Sequence, residues 1–349
     1  MKKERKKNGE KKVLSEKQKK VKLIFQVLLW VFIAYSIFCL CRSGSSLVSM
    51  TLQNQKCRNV ELGQARYEEI LASGVQAKYS YYTEEEIARD SDLEVTALYH
   101  FPNKTGEKKN YILVVPGGGY FECNVNKVAF PYAAKANEAG YTAFVLGYRY
   151  GRYSSRHAPL VDIARAIKYI TDNADSFNVI PTDYMVVGYS AGGNLTGLFA
   201  SEELGYKQYG LPKPLTVSLV YPWININDRI QVTGNYWRDL YSLCARTIGN
   251  SFFIGKGRTL QDKFDICVQN HVDDNYPAVF MVHGDKDFVV PHQYNAEVME
   301  EALRTHNVKY KYTLYKGLNH GFGIGEGTVA ENWVAESIEF WENCKKIAN

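Results

Sequence analysis

Gly188-Tyr189-Ser190-Ala191-Gly192-Gly193 sets a serine between glycines two residues before it and two after. The strand-like run Tyr184–Val187 precedes it and a helical segment, Ala191–Glu203, follows. A serine on so sharp a strand-to-helix turn exposes its hydroxyl, and the glycines remove side chains that would collide there. That hydroxyl is a weak nucleophile until a base takes its proton. Among seven histidines, His320 stands out. It lies in Gly317-Leu318-Asn319-His320-Gly321-Phe322, a glycine-flanked loop just after the strand-like Tyr310–Tyr315. A loop at the carboxyl edge of a sheet is where such a base belongs. The imidazole in turn needs an acid to fix its tautomer and to stabilise its charged form. His283-Gly284-Asp285-Lys286-Asp287-Phe288-Val289-Val290-Pro291 offers two aspartates. Asp287, in G-x-x-D-x-x-V-P, is preferred over Asp285, and His283 is read as a support for the loop.

Attack on a carbonyl also develops an oxyanion, which needs donors. Pro116-Gly117-Gly118-Gly119-Tyr120 follows the strand-like Tyr111–Val115. Successive glycines let backbone N–H groups approach the charge, each donor being worth ~3–4 kcal/mol. Gly118, Gly119 and the N–H of Ala191 are the expected oxyanion donors. Tyr120 and Tyr189, beside these positions, are the expected substrate-binding rings. A dinucleotide reading of the glycines fails, because Glu122 stands where G-x-G-x-x-G needs glycine and no P-loop lysine follows. The familiar zinc spacings C-x-x-C and H-E-x-x-H are absent. No metal and no cofactor is expected.

These groups must be carried by a scaffold. Short runs rich in β-branched and aromatic residues occur at Leu93–Tyr99, Tyr111–Val115, Tyr141–Leu146, Tyr184–Val187, Leu215–Tyr221, Ala278–His283 and Tyr310–Tyr315. Helical patterns fall between them, at Leu160–Thr171, Ala191–Glu203, His292–His306 and Asn332–Lys346. Apolar strands alternating with helices imply an α/β fold, a mainly parallel sheet covered on both faces. The rhythm breaks between Ile226 and Tyr276, a stretch too long for an ordinary crossover and holding Trp237, Phe252, Phe253 and Phe264. It reads as a cap insertion, 226–276, over the site; extra helices on the sheet edge are the alternative.

The 349 residues carry a formal charge of +5, but unevenly. Residues 1–22 hold 11 Lys/Arg against 3 Glu, so the remainder is slightly acidic. The basic excess therefore belongs to a tail, and no nucleic-acid partner is expected. Leu23–Cys41 follows, 19 residues without a charge. As a helix it would be about 28 Å long, near the hydrocarbon thickness of a bilayer. The expected organisation is a basic cytoplasmic tail (1–22), a transmembrane anchor (23–41), a linker (42–60) and a catalytic domain (61–349). Lysines on the N-terminal side place the N-terminus in the cytoplasm and the domain outside the cell membrane. Signal cleavage near Ser43-Gly44-Ser45, giving a secreted protein, is the alternative. Outside the span, five cysteines remain, an odd number.

Taken together, these motifs resemble the α/β-hydrolases, whose chain order is also serine, acid, histidine. The resemblance is nearest to the carbohydrate acetyl-esterase and acetyl-xylan-esterase-like branch, close to the hormone-sensitive-lipase-like esterases. It spans roughly residues 93–345. Its residues are Pro116–Tyr120, Gly140–Arg149, Pro159–Asp162 with Ala166, Gly188–Gly193, Tyr221-Pro222, Gly284–Pro291 and His320-Gly321. The resemblance implies Ser190 as nucleophile, Asp287 as acid and His320 as base, with Gly118, Gly119 and Ala191 as oxyanion donors. It implies structural roles for Arg149 and Asp162. Pro116 replaces the histidine of H-G-G-G lipases, which points toward acetyl esterases. The Glu-Gly pair common after this loop is missing from Phe121–Lys127. The expected activity is hydrolysis of short acyl esters, with O-acetyl groups on carbohydrates leading. Peptidase or lipase action on the same fold, and an inactive binding protein, are the alternatives.

Overall fold

The computed structural model describes residues 16–154, 157–226 and 265–348. Eight strands form one sheet: β1 (Lys78–Tyr79), β2 (Ala97–Phe101), β3 (Lys109–Val115), β4 (Ala143–Gly147), β5 (Val179–Tyr189), β6 (Thr216–Val220), β7 (Ala278–Gly284) and β8 (Tyr310–Tyr315). Their order is β1-β2-β4-β3-β5-β6-β7-β8. β1, β2 and β4 pair antiparallel at one edge, and every pairing from β4 through β3 to β8 is parallel. The strands from β3 to β8 therefore point their carboxyl ends the same way, and the loops that leave those ends converge.

The strand period distributes the apolar residues between two cores. In β3, Leu113 and Val115 join the core on one face while Ile112 and Val114 join the other. The first face is covered by α5 (Ala158–Asp172), α6 (Ala191–Ala200) and α7 (Ala296–Thr305). Pro159 sits in the first turn of α5, where its fixed φ suits a helix start, and Ile163, Ile167 and Ile170 are fully buried. The second face is covered by α4 (Phe130–Glu138) and α8 (Trp333–Ala348), whose Trp333 and Trp341 are fully buried. Fully burying each such side chain contributes about 1.5–3 kcal/mol.

Two expected elements differ. Leu93–Tyr99 is not one strand: Ser91–Val95 is a 3-10 turn capped by the Asp90 side chain, and β2 begins only at Ala97. An acidic side chain before a short polar run offered its N–H groups a partner that the strand reading overlooked. The larger difference is at the amino terminus. α1 (Glu16–Cys57) is a single helix of 42 residues. The stretch 42–60, expected as a linker, is helical through Cys57 and packs on the domain; after Asn59 α2 (Val60–Ala72) begins. The span expected at 23–41 lies within α1. Among the described residues, no helix is long and apolar enough to cross a membrane. Residues 227–264, which make up most of the expected cap, lie outside the described residues. Among the described residues, Cys41, Cys57, Cys123 and Cys344 are free thiols.

Candidate active site

Ser190 occupies the turn between β5 and α6 with φ 53° and ψ −116°, backbone values that an L-residue holds only under constraint. The constraint is steric. A Cβ on Gly188 would lie 2.4 Å from the Gly192 carbonyl oxygen, and one on Gly192 would lie 2.4 Å from the carbonyl oxygens of Val115 and Pro116. The end of β3 is thus pressed against the first turn of α6, and only glycine permits it.

Three loops then bring the candidate side chains together. Ser190 Oγ lies 2.9 Å from His320 Nε2, and His320 Nδ1 lies 2.6 Å from Asp287 Oδ2. Nδ1 faces a carboxylate, so it carries the proton, and Nε2 is left to accept from the serine hydroxyl. Asp287 Oδ1 accepts from the backbone N–H groups of Val289 (3.0 Å) and Val290 (2.8 Å). Its Oδ2 also accepts from His283 Nε2 at 3.1 Å. His283 Nε2 faces the Val290 carbonyl oxygen as well, so both neighbours are acceptors and the proton sits on that nitrogen. Burial pushes the Asp287 carboxyl up, but the His320 charge and hydrogen bonds from His283 and His320 outweigh it. The net effect holds Asp287 well below the usual carboxylate range. Asp285 instead accepts from the Gly317 N–H at the base of the histidine loop.

The glycine run lies beside the serine. A Cβ on Gly117 would come within 3.0 Å of Ser190 Cβ, and Gly118 and Gly119 have φ of 140° and 60°. Among the described residues, none accepts a hydrogen bond from the N–H groups of Gly118, Gly119 or Ala191. Gly118 and Gly119 border a cavity of about 280 Å³ that also touches Ser190, His320, Trp223 and Val290, and Ala191 directly follows Ser190 in the chain. The Tyr221 ring stands edge-on to the His320 ring at 4.9 Å. Among the described residues, no three His, Cys, Asp or Glu side chains group as metal ligands.

The two expected substrate-binding tyrosines are placed differently. Tyr120 is fully buried and its hydroxyl donates to Asn194 Oδ1 at 2.8 Å, so it braces α6 and does not face the cavity. Tyr189 borders the cavity, but its ring packs into the core against Tyr221 and Trp333. Strand alternation explains the second case: the residue before Ser190 points to the opposite face of β5. Phe121, half-exposed at the cavity, occupies the place those rings were given. Arg149 and Asp162 form a buried pair below the site. The guanidinium reaches both carboxylate oxygens, the Arg149 N–H adds a 2.7 Å bond, and the Tyr82 hydroxyl donates a further one.

Sequence reasoning missed the contribution of α1. Met50 and Arg58 border the cavity, and Gln53, Asn54 and Arg58 hydrogen-bond the loop around His320. The i, i+4 pair Asn54/Arg58 on one helix face was the available signal, yet nothing in the sequence links it to a loop some 260 residues away.

A mostly parallel sheet, a serine on a strained strand-to-helix turn and loops converging at the strand ends define an α/β-hydrolase fold. The BD-FAE family profile matches residues 98–303, more than half of the chain, and the chain belongs to that family. Residues 266–346 also match the Dienelactone hydrolase family. The chain is 26% identical over 239 residues to Endo-1,4-beta-xylanase B of Butyrivibrio fibrisolvens, covering 68% of this chain and 36% of that protein. It is 25% identical over 230 residues to the Acetylxylan esterase of Xylanibacter ruminicola, covering 66% of this chain and 44% of the relative. The chain thus spans less than half the length of these two relatives. The acetyl ester-xyloside bifunctional hydrolase from Caldicellulosiruptor lactoaceticus has the same fold, with a TM-score of 0.60 at 24% identity over 71% of this chain and 88% of that one. The resemblance to acetyl esterases read from the motifs agrees with these relatives.

Proposed function

We propose that this protein is a serine carboxylic ester hydrolase acting on short acyl esters, foremost O-acetyl groups on a carbohydrate. The observation that carries the reading is the 2.9 Å contact between Ser190 Oγ and His320 Nε2 at the floor of the cavity. His320 Nε2 takes the hydroxyl proton as Ser190 Oγ attacks the ester carbonyl carbon. The carbonyl oxygen becomes an oxyanion held by the N–H groups of Gly118, Gly119 and Ala191. Collapse breaks the ester C–O bond, His320 returns the proton to the departing alcohol oxygen, and the acyl group stays on Ser190. Water then attacks with His320 again as base, and the acid leaves. Asp287 remains ionised throughout and stabilises the imidazolium. A cavity of about 280 Å³ suits a small acyl group better than a long chain. The names of the relatives point to acetylated carbohydrate.

The same reading places the protein on a membrane, with the N-terminus cytoplasmic and the catalytic domain outside. It is supported by the exposed apolar side chains from Leu23 through Phe38 of α1, behind a lysine-rich segment. Resistance of the full chain to extraction from membranes by alkaline carbonate tests the attachment.

Hydrolysis of p-nitrophenyl acetate, butyrate and decanoate by the full chain in detergent, against Ser190→Ala, tests the activity. Preference for acetate and a loss of about 10⁴-fold or more in kcat for the variant are expected. Preference for decanoate would favour a lipase. Hydrolysis unchanged in Ser190→Ala would overturn the assignment.

A further inference from the structure

α1 is more than a connection to the domain. Gln53 and Asn54 in its last two turns, with Arg58 just beyond its end, supply five side-chain hydrogen bonds to one loop. Gln53 Nε2 donates to the Gly317 carbonyl oxygen at 3.2 Å, and Gln53 Oε1 accepts from the Asn319 N–H at 2.9 Å and from Asn319 Nδ2 at 3.2 Å. Asn54 Nδ2 donates to the carbonyl oxygen of His320 itself at 2.9 Å. Arg58 Nε donates to the Gly321 carbonyl oxygen at 2.7 Å. The contact is also close in shape. A Cβ on Gly321 would lie 2.5 Å from Arg58 Nη2 and 3.0 Å from Asn54 Nδ2, and one on Gly323 would lie 2.8 Å from Arg58 Cγ. Both glycines have positive φ, 84° and 59°. The loop is moulded onto the helix.

We infer that Asn54 and Arg58 are positioning residues for the base of this reaction, and that α1 is therefore an integral part of the active site. The inference rests on the proposed role of His320. Asn54 is buried, with 6% of its surface exposed, so its bond to the His320 carbonyl is shielded from water. Among the described residues, no carboxylate pairs with Arg58, so its one directed bond is the one to the loop. Together they fix the backbone on which the imidazole must meet Ser190 on one side and Asp287 on the other. A shift of about 1 Å in such a group costs on the order of 10²-fold in rate. Substrate binding depends on other walls of the cavity, so the loss should fall on kcat and spare KM.

The test uses the full chain in detergent micelles, with rates per folded protein from near-ultraviolet circular dichroism. Asn54→Ala/Arg58→Ala should lower kcat for p-nitrophenyl acetate by about 10–100-fold while KM changes less than about 3-fold. Asn54→Asp is isosteric, keeps the packing and sets an acceptor against the His320 carbonyl; it should lower kcat in the same way even if the double variant folds poorly. Arg58→Lys, which retains a donor, should recover part of the rate. A loss confined to kcat with KM held, partly rescued by Arg58→Lys, is a pattern that lost stability alone would not cause. Variants with wild-type kcat would overturn the inference. Activity that survives Ser190→Ala in the otherwise wild-type chain would instead overturn the proposed reaction, so the two failures are distinguishable.

Discussion

The serine turn and the histidine loop face each other across 2.9 Å, but they are held by different means. Ser190 is fixed by its own neighbourhood: β5 runs into α6, and glycines at 188 and 192 leave no other path for the backbone. His320 sits on a loop whose backbone groups at 317, 319, 320 and 321 are taken by side chains of Gln53 and Asn54 in α1 and of Arg58 just beyond it. One half of the site is built by short-range sterics and the other by a long-range graft. The first half should fail by unfolding, whereas the second should fail by misalignment.

Gly192→Ala should have the largest effect on the fold. Its Cβ would meet two backbone carbonyl oxygens at 2.4 Å, and backbone cannot swing aside as a side chain can. A loss of about 3 kcal/mol or more, read from urea unfolding, is expected, with activity lost alongside. Gly321→Ala separates the two halves more sharply. The new Cβ would meet the ends of the Arg58 and Asn54 side chains, which can retreat. Stability should fall by about 1–2 kcal/mol from the strained φ, while kcat falls about 10-fold with KM held. If Gly321→Ala instead unfolds like Gly192→Ala with no separate loss of rate, the contrast between the halves is wrong.

His283→Phe should have the smallest effect, because it removes one of four donors to Asp287 and leaves three. A fall of a few-fold in kcat/KM is expected, together with a change in acid unfolding. The sign follows from Asp287. Its carboxyl is held below its ordinary value in the folded state. The unfolded chain therefore takes up a proton first as pH falls through about 4, and stability is present above that pH and lost below it. With one donor gone the hold weakens, so the variant should be less stable at pH 7 and lose less on acidification. Thermal melts between pH 7 and pH 3 measure both.

The same contrast explains what could be read beforehand. Ser190, Asp287, His320 and the 117–119 glycines could be picked out because each lies in a local pattern that follows a strand, and the structure brings them together. The parallel order of the strands was likewise implied by alternating strand and helix patterns. The ring directions of Tyr120 and Tyr189 could not be read, because adjacency in sequence says nothing of which way a ring points; one braces Asn194, and the other borders the cavity while its ring packs into the opposite core. The role of Gln53, Asn54 and Arg58 was hidden because a polar helix face looks the same whether it meets water or a loop far along the chain. The start of β2 was misplaced because Asp90 captured the preceding residues in a 3-10 turn.

The unbroken course of α1 from Glu16 to Cys57 has a mechanical consequence. A helix has no hinge, so the segment near Cys41 and the cavity rim at Met50 are joined by a stiff post. At the helical rise, the nine residues between them span about 14 Å. Whatever surface grips the apolar part of α1 sets the height and the heading of the cavity mouth together. The enzyme would have a short, fixed reach, and its substrate would have to come to it.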